Sequence, residues 1–274
     1  MKKCFSVFFA ALAALLCCGC ADGGAAGKPV LGVWWWDSGL SAETYLSFAE
    51  DNGVTEIYWC DDGFDGDTEN FIKNAADRGI KVYWLSGKYE WLRDDKPLYR
   101  LIEKYNDFQN SAVYRYAGIH LDIEPHQDPQ FENEREYLLE RLVSVVYGLA
   151  RKYPDIKFDY DIPFWIHDEI MFNGKVLPAY AHITDNSDRT FIMSYRDSAQ
   201  AVYDTAKDEI GYALSVGKVL VLGVETYSEE GDNVSFMEEG KNYMYGEIQK
   251  IRTMLPKDFG ISIHQIKTWH GLQE

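Results

Sequence analysis

The residues best suited to chemistry lie in one short stretch, between positions 117 and 126. It reads Ala-Gly-Ile-His-Leu-Asp-Ile-Glu-Pro-His, so that apolar and polar side chains alternate. Because alternate side chains of a strand point to opposite faces, His120, Asp122 and Glu124 share one face. Two carboxyl groups and an imidazole on a buried face are unfavourable unless they have partners, and acids with shifted pKa values concentrate at functional sites. We therefore predict an acid–base site here, with a purely structural polar network as the alternative.

Eight apolar, strand-like runs follow one another along the chain and alternate with runs of helical character. The predicted strands cover residues 30–36, 56–60, 81–85, 117–123, 157–162, 190–195, 219–226 and 260–266. The predicted helices cover residues 42–51, 68–77, 97–110, 132–153, 199–216 and 236–254. The stretch from the fifth strand to about residue 187 is less regular.

This alternation favours a parallel sheet with helices packed outside it. Eight such units in roughly 250 residues match the size of a (β/α)8 barrel. A doubly wound open sheet would need a glycine-rich loop after the first strand, whereas residues 33–37 read Val-Trp-Trp-Trp-Asp. We therefore predict an α/β protein with a single (β/α)8 TIM-barrel domain, whose eighth helix is short or missing.

Further polar side chains lie near the carboxyl ends of the predicted strands, where barrel enzymes carry their active sites. Asp161 lies at the end of the fifth strand, Glu225 on the inward face of the seventh, and His264 on that of the eighth. Trp36 and Trp59 lie near the ends of the first two strands. Their flat rings could stack on a ligand, although each of these residues could equally be a structural contact.

The fourth strand resembles the signature of family-18 chitinases and their relatives. That family carries Asp-x-x-Asp-x-Asp-x-Glu on its fourth barrel strand, and the same register here gives Ala117, His120, Asp122 and Glu124. The last two acids match the signature, whereas Ala117 and His120 stand in place of its first two aspartates.

Two later strands resemble the same family, in the same order along the chain. Residues 193–197 read Met-Ser-Tyr-Arg-Asp, similar to the family's Met-x-Tyr-Asp, with Arg196 where the family has aspartate. Residues 223–227 read Gly-Val-Glu-Thr-Tyr, similar to the family's Gly-x-x-x-Tyr. The three motifs together span the predicted barrel, so the chain resembles a barrel glycoside hydrolase.

The resemblance implies substrate-assisted hydrolysis of a glycan, with N-acetylhexosamine as the candidate sugar. Glu124 would protonate the glycosidic oxygen, and Asp122 would orient the acetamido group that acts as the internal nucleophile. Tyr195 would hydrogen-bond to that acetamido group. The other candidates for substrate binding are His120, Asp161, His264, Trp36 and Trp59.

A second arrangement fits the same strands. Many retaining β-glycosidases carry an acid/base glutamate before a proline on strand four and a nucleophile on strand seven. Glu124-Pro125 and Glu225 resemble that pair, with Ile123 where that family has asparagine. Retention requires carboxyl groups about 5–5.5 Å apart, and inversion about 6.5–9.5 Å. Glu124 is the proton donor in both schemes, so the catalytic candidates are Glu124, Asp122 and Glu225.

Two other functions remain open on these residues. His120, Asp122 and Glu124 could hold a metal ion in a metal-dependent hydrolase, since their oxygen and nitrogen atoms suit several divalent ions. A barrel that lacks the first two aspartates but keeps its aromatic residues could instead be a non-catalytic surface glycan-binding protein. No cofactor is predicted, and the sequence shows no nucleotide-binding loop. It also has no Gly-x-Ser-x-Gly elbow that would present a serine nucleophile.

The composition narrows the class of partner. Of the 274 residues, 46% are hydrophobic and 26% are charged, as in a folded protein rather than a disordered one. The formal net charge of −17 makes the chain a poor partner for nucleic acid, whose phosphates attract Lys and Arg. Aromatic residues make up 15%, a supply that suits a ligand surface as well as a core. The carbohydrate partner that we expect is what the resemblance to barrel glycoside hydrolases implies.

The start of the chain reads as a targeting signal. Lys2 and Lys3 precede an apolar run over residues 5–16 that is too short to span a bilayer, which predicts a lipoprotein signal peptide over 1–19. Gly19-Cys20 resembles a bacterial lipoprotein processing site, with Cys20 lipidated. Residues 20–28 are then a short linker and 29–274 the barrel domain. The predicted location is extracytoplasmic, with the domain held to a bacterial membrane only by its lipid.

Overall fold

The computed structural model describes residues 29–36, 39–61, 63–227, 231 and 233–274. Its strands are β1 (Leu31–Trp35), β2 (Glu56–Cys60), β3 (Lys81–Ser86), β4 (Ile119–Leu121), β5 (Phe158–Pro163), β6 (Glu169–Phe172), β7 (Lys175–Pro178), β8 (Arg189–Met193), β9 (Val219–Glu225) and β10 (Gly260–His264). Its α-helices are α1 (Ala42–Asp51), α2 (Gly66–Asp77), α3 (Lys96–Ser111), α4 (Phe131–Lys152), α5 (Ala179–Asp185), α6 (Ala199–Thr205), α7 (Lys207–Val216), α8 (Lys241–Met254) and α9 (Ile266–Gly271). Two short 3-10 helices cover Tyr89–Leu92 and Pro125–Gln127.

Eight of these strands form one closed, parallel barrel in the order β1-β10-β9-β8-β5-β4-β3-β2. The antiparallel pair β6–β7 lies outside that order, so the sixth, seventh and eighth barrel strands are β8, β9 and β10. The prediction of an α/β protein with a single (β/α)8 TIM-barrel domain is confirmed. The eighth helix, α9, has 6 residues, as the prediction of a short helix required. The proposed signal peptide and linker, residues 1–28, lie outside the described residues.

Local sequence explains several element boundaries. Helix α1 begins after Ser41, whose side chain accepts a hydrogen bond from the Thr44 amide at 3.2 Å, as expected for an N-cap. The predicted helix over 199–216 is divided at Ala206, whose backbone leaves the helical region. The predicted helix over 236–254 begins only at Lys241, because Gly240 has a φ of 82° that helical residues do not adopt. The irregular stretch before residue 187 contains the β6–β7 hairpin and α5.

The barrel separates two apolar regions. Between the strands and the helices lie Ile119, Leu121 and Ile123, which face outward from β4 and the residues just after it. The barrel interior contains a smaller cluster of Trp34, Tyr58, Tyr83, Leu85, Phe191 and Val221. The outward alternation predicted for residues 119, 121 and 123 is therefore found. No helix in the described ranges is both long and apolar enough to cross a membrane.

An ion cluster closes the amino-terminal end of the barrel. Arg189 Nη1 lies 2.7 Å from Glu56 Oε2, and Arg189 Nη2 lies 2.5 Å from Asp159 Oδ2. Tyr58 donates a hydrogen bond to the same glutamate over 3.1 Å, and the guanidinium stacks on Tyr83 at 4.8 Å. Both carboxyl groups are buried and share one cation, so this end of the barrel is a packed structural plug.

Candidate active site

A cavity of about 680 Å³ opens at the carboxyl ends of the barrel strands. Its polar lining includes five of the residues that the sequence singled out, namely Asp122, Glu124, Tyr195, Glu225 and His264. Its aromatic lining consists of Trp36, Tyr89, Phe164 and Trp165. These five side chains come from the ends of four different barrel strands. Asp122 and His264, which line the same cavity, are 142 positions apart in the sequence.

The ends of β3 and β4 lie unusually close, which fixes the position of the two β4 acids. The Asp122 amide donates a hydrogen bond to the Ser86 carbonyl over 3.0 Å. A Cβ atom at Gly87 would overlap the carbonyl oxygen of Asp122. Only glycine therefore permits this approach, and through it the placement of Asp122 and Glu124 at the cavity.

Asp122 forms part of the cavity lining and lies beside Asp161. The β4–β5 register pairs His120 with Asp159 and Leu121 with Tyr160, so Asp122 and Asp161 come next in line. Burial, followed by the charges of Asp161 and Glu124, raises the pKa of Asp122 well above its usual value. Its Oδ1 atom and that of Asp161 are buried without a hydrogen-bond partner in the described chain. The surroundings of Asp122 therefore favour its protonated form, and its unpartnered Oδ1 atom leaves hydrogen-bonding capacity for a bound group.

His120 and Asp161 lie one layer below the cavity. His120 is fully buried, and its ring stacks on that of Tyr58 with centroids 4.3 Å apart. Asp161 Oδ2 lies 2.7 Å from His120 Nε2 and accepts a hydrogen bond from Trp34 Nε1 over 2.9 Å. Neither His120 nor Asp161 is part of the cavity lining. The structure therefore does not bring these two residues to a ligand, and it places them as support beneath Asp122.

Glu124 lies at the mouth of the cavity, with 17% of its side chain exposed. Gln127 donates a hydrogen bond to its Oε2 atom, and His126 Nε2 lies 3.5 Å from Oε1. Burial lowers the pKa of His126, so at neutral pH its imidazole is a neutral neighbour rather than a competing cation. Glu124 is thus held in place while remaining accessible to a bound ligand.

Glu225 and His264 form a buried ion pair in the cavity wall. Glu225 Oε1 accepts hydrogen bonds from the Thr226 and Tyr227 amides, each over 2.7 Å, and Oε2 lies 2.8 Å from His264 Nδ1. Burial opposes the charged form of His264, but the hydrogen bond and charge of Glu225 outweigh it and raise the pKa of His264. The contacts with Glu225 therefore favour the protonated form of His264, in which the two side chains together carry no net charge.

Tyr195 follows β8 and packs its ring 5.9 Å from that of His264. Burial and then the surrounding carboxylates, Glu225 first among them, raise the pKa of Tyr195 well above its usual value. Its phenol therefore remains protonated across the physiological range and can act as a hydrogen-bond donor to a ligand in the cavity.

The two tryptophans predicted to bind a ligand have different positions. Trp36 lines the cavity. Trp59 does not, because it lies on the outward face of β2, where its ring is 3.9 Å from that of Phe71 in α2. The proposed role of Trp59 in binding is therefore replaced by a packing role between the barrel and its helix layer.

Several cavity residues were not singled out as site residues from the sequence. Phe164 and Trp165 directly follow β5, and each ring is covered by a guanidinium, Arg196 at 4.7 Å and Arg135 at 4.9 Å. Lys88 follows the end of β3 and also lines the cavity. The position of these residues in the sequence could have indicated a role at the site, because each comes just after the carboxyl end of a barrel strand, where barrel enzymes carry their active sites.

The side chains proposed as metal ligands do not form a metal-binding group. Within the described ranges, no three His, Cys, Asp or Glu side chains are placed so that they could hold an ion together. The Nε2 atom of His120 instead faces Asp161. The metal-dependent alternative therefore has no support in the geometry of these residues.

Comparison with known proteins identifies the fold. Neither a protein-family model nor a curated protein matches the sequence. The glycoside hydrolase domain of PelA from Pseudomonas aeruginosa is 11% identical with a TM-score of 0.52, and the match covers 89% of this chain and 98% of that one. The spore cortex-lytic enzyme SleL from Bacillus megaterium is 10% identical with a TM-score of 0.55, covering 89% and 73% of the two chains.

A family GH18 chitinase from Cycas revoluta, solved with allosamidin, is 14% identical with a TM-score of 0.49 and coverages of 87% and 95%. At identities this low the similarities establish a shared barrel architecture. The chain thus shares its (β/α)8 barrel with the PelA domain and SleL, and its chemistry has to be argued from its own residues.

Proposed function

We propose that this protein is a glycoside hydrolase that cleaves a glycan at an N-acetylhexosamine residue, with Glu124 as the proton donor. The observation that carries the proposal is the convergence of Asp122, Glu124 and Tyr195 on one cavity at the carboxyl end of the barrel. These are the positions at which the sequence resembles family-18 chitinases. The structural neighbours with the higher TM-scores, a glycoside hydrolase domain and a spore cortex-lytic enzyme, support the same class of reaction.

In this proposal the substrate's own acetamido group is the nucleophile. Its carbonyl oxygen attacks the anomeric carbon as the bond to the leaving oxygen breaks, and Glu124 gives its proton to that oxygen. Asp122, whose Oδ1 atom has no partner in the described chain, accepts a hydrogen bond from the acetamido N–H and orients the group for attack. The Tyr195 phenol donates a second hydrogen bond to the same group. A water molecule, deprotonated by the Glu124 carboxylate, then opens the cyclic intermediate and restores the acid.

The contacts of Glu225 favour this route over one with a glutamate nucleophile. Both of its oxygens are occupied, by two backbone amides and by His264, and its side chain is 1% exposed. Three hydrogen bonds stabilise the carboxylate and leave less electron density for attack on a sugar carbon. We therefore assign Glu225 to the positioning and charging of His264 rather than to covalent catalysis.

Hydrolysis of aryl glycosides by the full chain, purified in detergent, tests the proposal. The panel should include chitobiosyl substrates beside glucosides, galactosides and mannosides. Glu124→Gln should lower kcat about 10²- to 10⁴-fold, the usual contribution of a general acid, while ligand affinity is retained. Glu136→Gln is the matched control, because Glu136 is an exposed glutamate of α4 and its replacement should leave kcat unchanged.

Three results would count against the proposal. If Glu124→Gln kept full turnover, Glu124 could not be the acid. If the unaltered protein bound oligosaccharides but hydrolysed none, the non-catalytic glycan-binding function would take its place. A substrate without an acetamido group that was cleaved as fast as a chitobioside would exclude the assisted route and return Glu225 to consideration.

We also propose that the barrel is extracytoplasmic and anchored to a bacterial membrane by lipid at Cys20, from the sequence of residues 1–20 alone. Metabolic labelling with an alkynyl fatty acid in a bacterial host tests this. Label should be incorporated into the full chain and should be lost in Cys20→Ser. Equal labelling of both proteins would reject the anchor.

A further inference from the structure

Two cationic side chains, Lys88 and Arg196, line the same cavity as the proposed acid Glu124. Lys88 follows β3 and Arg196 follows β8. In the barrel order, β3 and β8 flank β4 and β5, which carry Glu124 and the aromatic pair Phe164 and Trp165. The two cations therefore stand on either side of the place where the leaving group and its sugar would lie.

Arg196 is fixed in position without a carboxylate partner. Its Nη1 atom donates a hydrogen bond to the Tyr195 carbonyl over 2.6 Å, and its guanidinium packs on the Phe164 ring at 4.7 Å. No salt bridge within the described ranges involves Arg196 or Lys88, whereas Arg93, Arg135 and Arg189 each pair with a carboxylate. Arg196 thus presents a preorganised guanidinium, with donors remaining, to the cavity.

The acids of the cavity carry less negative charge than their number suggests. Glu225 lies 2.8 Å from His264, which is a cationic partner when protonated, burial raises the pKa of Asp122 well above its usual value, and Glu124 must be protonated to act as a donor. The charges that remain on the lining during catalysis are then those of Lys88 and Arg196. In a chain with a net charge of −17, this locally positive cavity suits an anion.

We propose that Arg196, assisted by Lys88, binds a carboxylate of the substrate, so that the natural substrate is an acidic glycan in which a carboxylate-bearing sugar adjoins the cleaved N-acetylhexosaminide bond. The planar guanidinium can bind a carboxylate with two parallel hydrogen bonds, which explains an arginine at the position where the chitinase signature has an aspartate. The substrate class rests on the proposed function. The carboxylate could belong to a hexuronic acid or to the lactyl ether of a muramic acid.

Binding to the full-length Glu124→Gln protein tests this independently of turnover. Calorimetry would compare three ligands: a hexasaccharide that alternates N-acetylglucosamine with glucuronic acid, its carboxyl-reduced counterpart, and a glycan chain that alternates N-acetylglucosamine with N-acetylmuramic acid. At least one acidic ligand should bind about 10- to 100-fold more tightly than the neutral one, as expected for hydrogen bonds between charged groups. Whichever acidic ligand binds more tightly identifies the source of the carboxylate.

Substitutions of Arg196 in the Glu124→Gln protein supply the specific control. Arg196→Gln should remove the preference for the acidic ligand and leave the affinity for the neutral one within about twofold, whereas Arg196→Lys should keep part of the preference because it keeps the charge but not the planar fork. Arg100→Gln, at an exposed position of α3, should change neither affinity.

The outcomes separate this inference from the function on which it rests. Equal binding of acidic and neutral ligands, or a preference that survives Arg196→Gln, overturns the acidic-substrate proposal even if neutral glycans are hydrolysed. A preference that depends on Arg196, together with no hydrolysis of any ligand by the unaltered protein, supports the carboxylate site and rejects the hydrolase.

Discussion

At the amino-terminal end of the barrel, Glu56 and Asp159 converge on the guanidinium of Arg189, whereas towards the carboxyl end neither Asp122 nor Asp161 pairs with a Lys or Arg among the described residues. Each pair is buried inside the same barrel; Asp122 and Asp161 come from neighbouring strand ends, whereas β2 and β5, which carry Glu56 and Asp159, are separated by two strands. Glu56 and Asp159 share the single Arg189 cation and accept its hydrogen bonds. Asp122 and Asp161 each retain one carboxyl oxygen without a hydrogen-bond partner in the described chain.

The difference shows which buried acids carry a function. A carboxyl group whose hydrogen bonds are completed by the protein has little left to offer a ligand, and its role is to stabilise the fold. A buried oxygen without a partner costs about 1–3 kcal/mol and persists where a ligand can complete it. Polar residues inside a barrel therefore do not by themselves mark the active site; Asp122 combines an unfilled hydrogen-bonding atom with a place in the cavity lining, a combination that Glu56 and Asp159 lack.

Arg189→Met should have the largest effect, because it leaves two buried carboxylates without their cation. We expect the free energy of unfolding to fall by about 3–5 kcal/mol, with kcat of the remaining folded protein unchanged. Urea denaturation followed by tryptophan fluorescence measures the first quantity, and activity per folded molecule the second. The triple variant Glu56→Gln, Asp159→Asn and Arg189→Met should recover most of the loss, and a loss below about 1 kcal/mol in Arg189→Met would contradict the structural role.

Asp161→Asn and Asp159→Asn sharpen the comparison within a single strand, since the two acids are two residues apart on β5. Removing the charge of Asp161 lowers the pKa of Asp122, so the alkaline limb of the kcat/KM profile should move to lower pH. At neutral pH, kcat/KM should fall roughly tenfold, equivalent to about 1.4 kcal/mol in activation free energy. Asp159→Asn should lower the free energy of unfolding and leave the pH dependence of kcat/KM unchanged. Identical pH profiles for the two variants would contradict the different roles assigned to Asp159 and Asp161.

Asp122→Asn should have the smallest effect on the free energy of unfolding, and one of opposite sign to Arg189→Met. The pKa of Asp122 is raised in the folded state above its usual 3.8, so its contribution to stability is present below about pH 4 and is lost as the pH rises through the folded-state pKa. Asparagine does not titrate, so the variant should be more stable at pH 8 by about 1 kcal/mol, a common size for such gains, and less so at pH 4. A variant that was less stable at pH 8 would contradict the raised pKa.

Much of the fold could be predicted from the sequence because each barrel strand is a short apolar run followed by a helical pattern. The bounds of α1 and β2 were predicted to the residue. The β6–β7 hairpin could not be recognised, because its exposed apolar residues Met171 and Val176 do not follow the alternation of a half-buried strand. The division between α6 and α7 also has no local signal, since Ala206 is a good helix former.

The candidate site was predictable in part. Strand alternation gives the face of a side chain but not its depth, so His120, Asp122 and Glu124 share the inward face while only the last two reach the cavity. On β2 both faces carry large apolar or aromatic residues, which is why Trp59 could not be assigned to the outward face. The Arg189 cluster joins residues 133 positions apart, and no local pattern encodes such a contact.

The crowding at Gly87 has a consequence for how this sequence can vary. In a saturation library screened for activity, every substitution at position 87, alanine included, should be depleted, because even one added methyl group would push the end of β4 away from β3. Lys88, one position further on, should tolerate many replacements in a screen for folding. A distant homologue with the same chemistry should therefore be recognisable by a glycine just beyond its third barrel strand, even where its catalytic motif has drifted as far as this one.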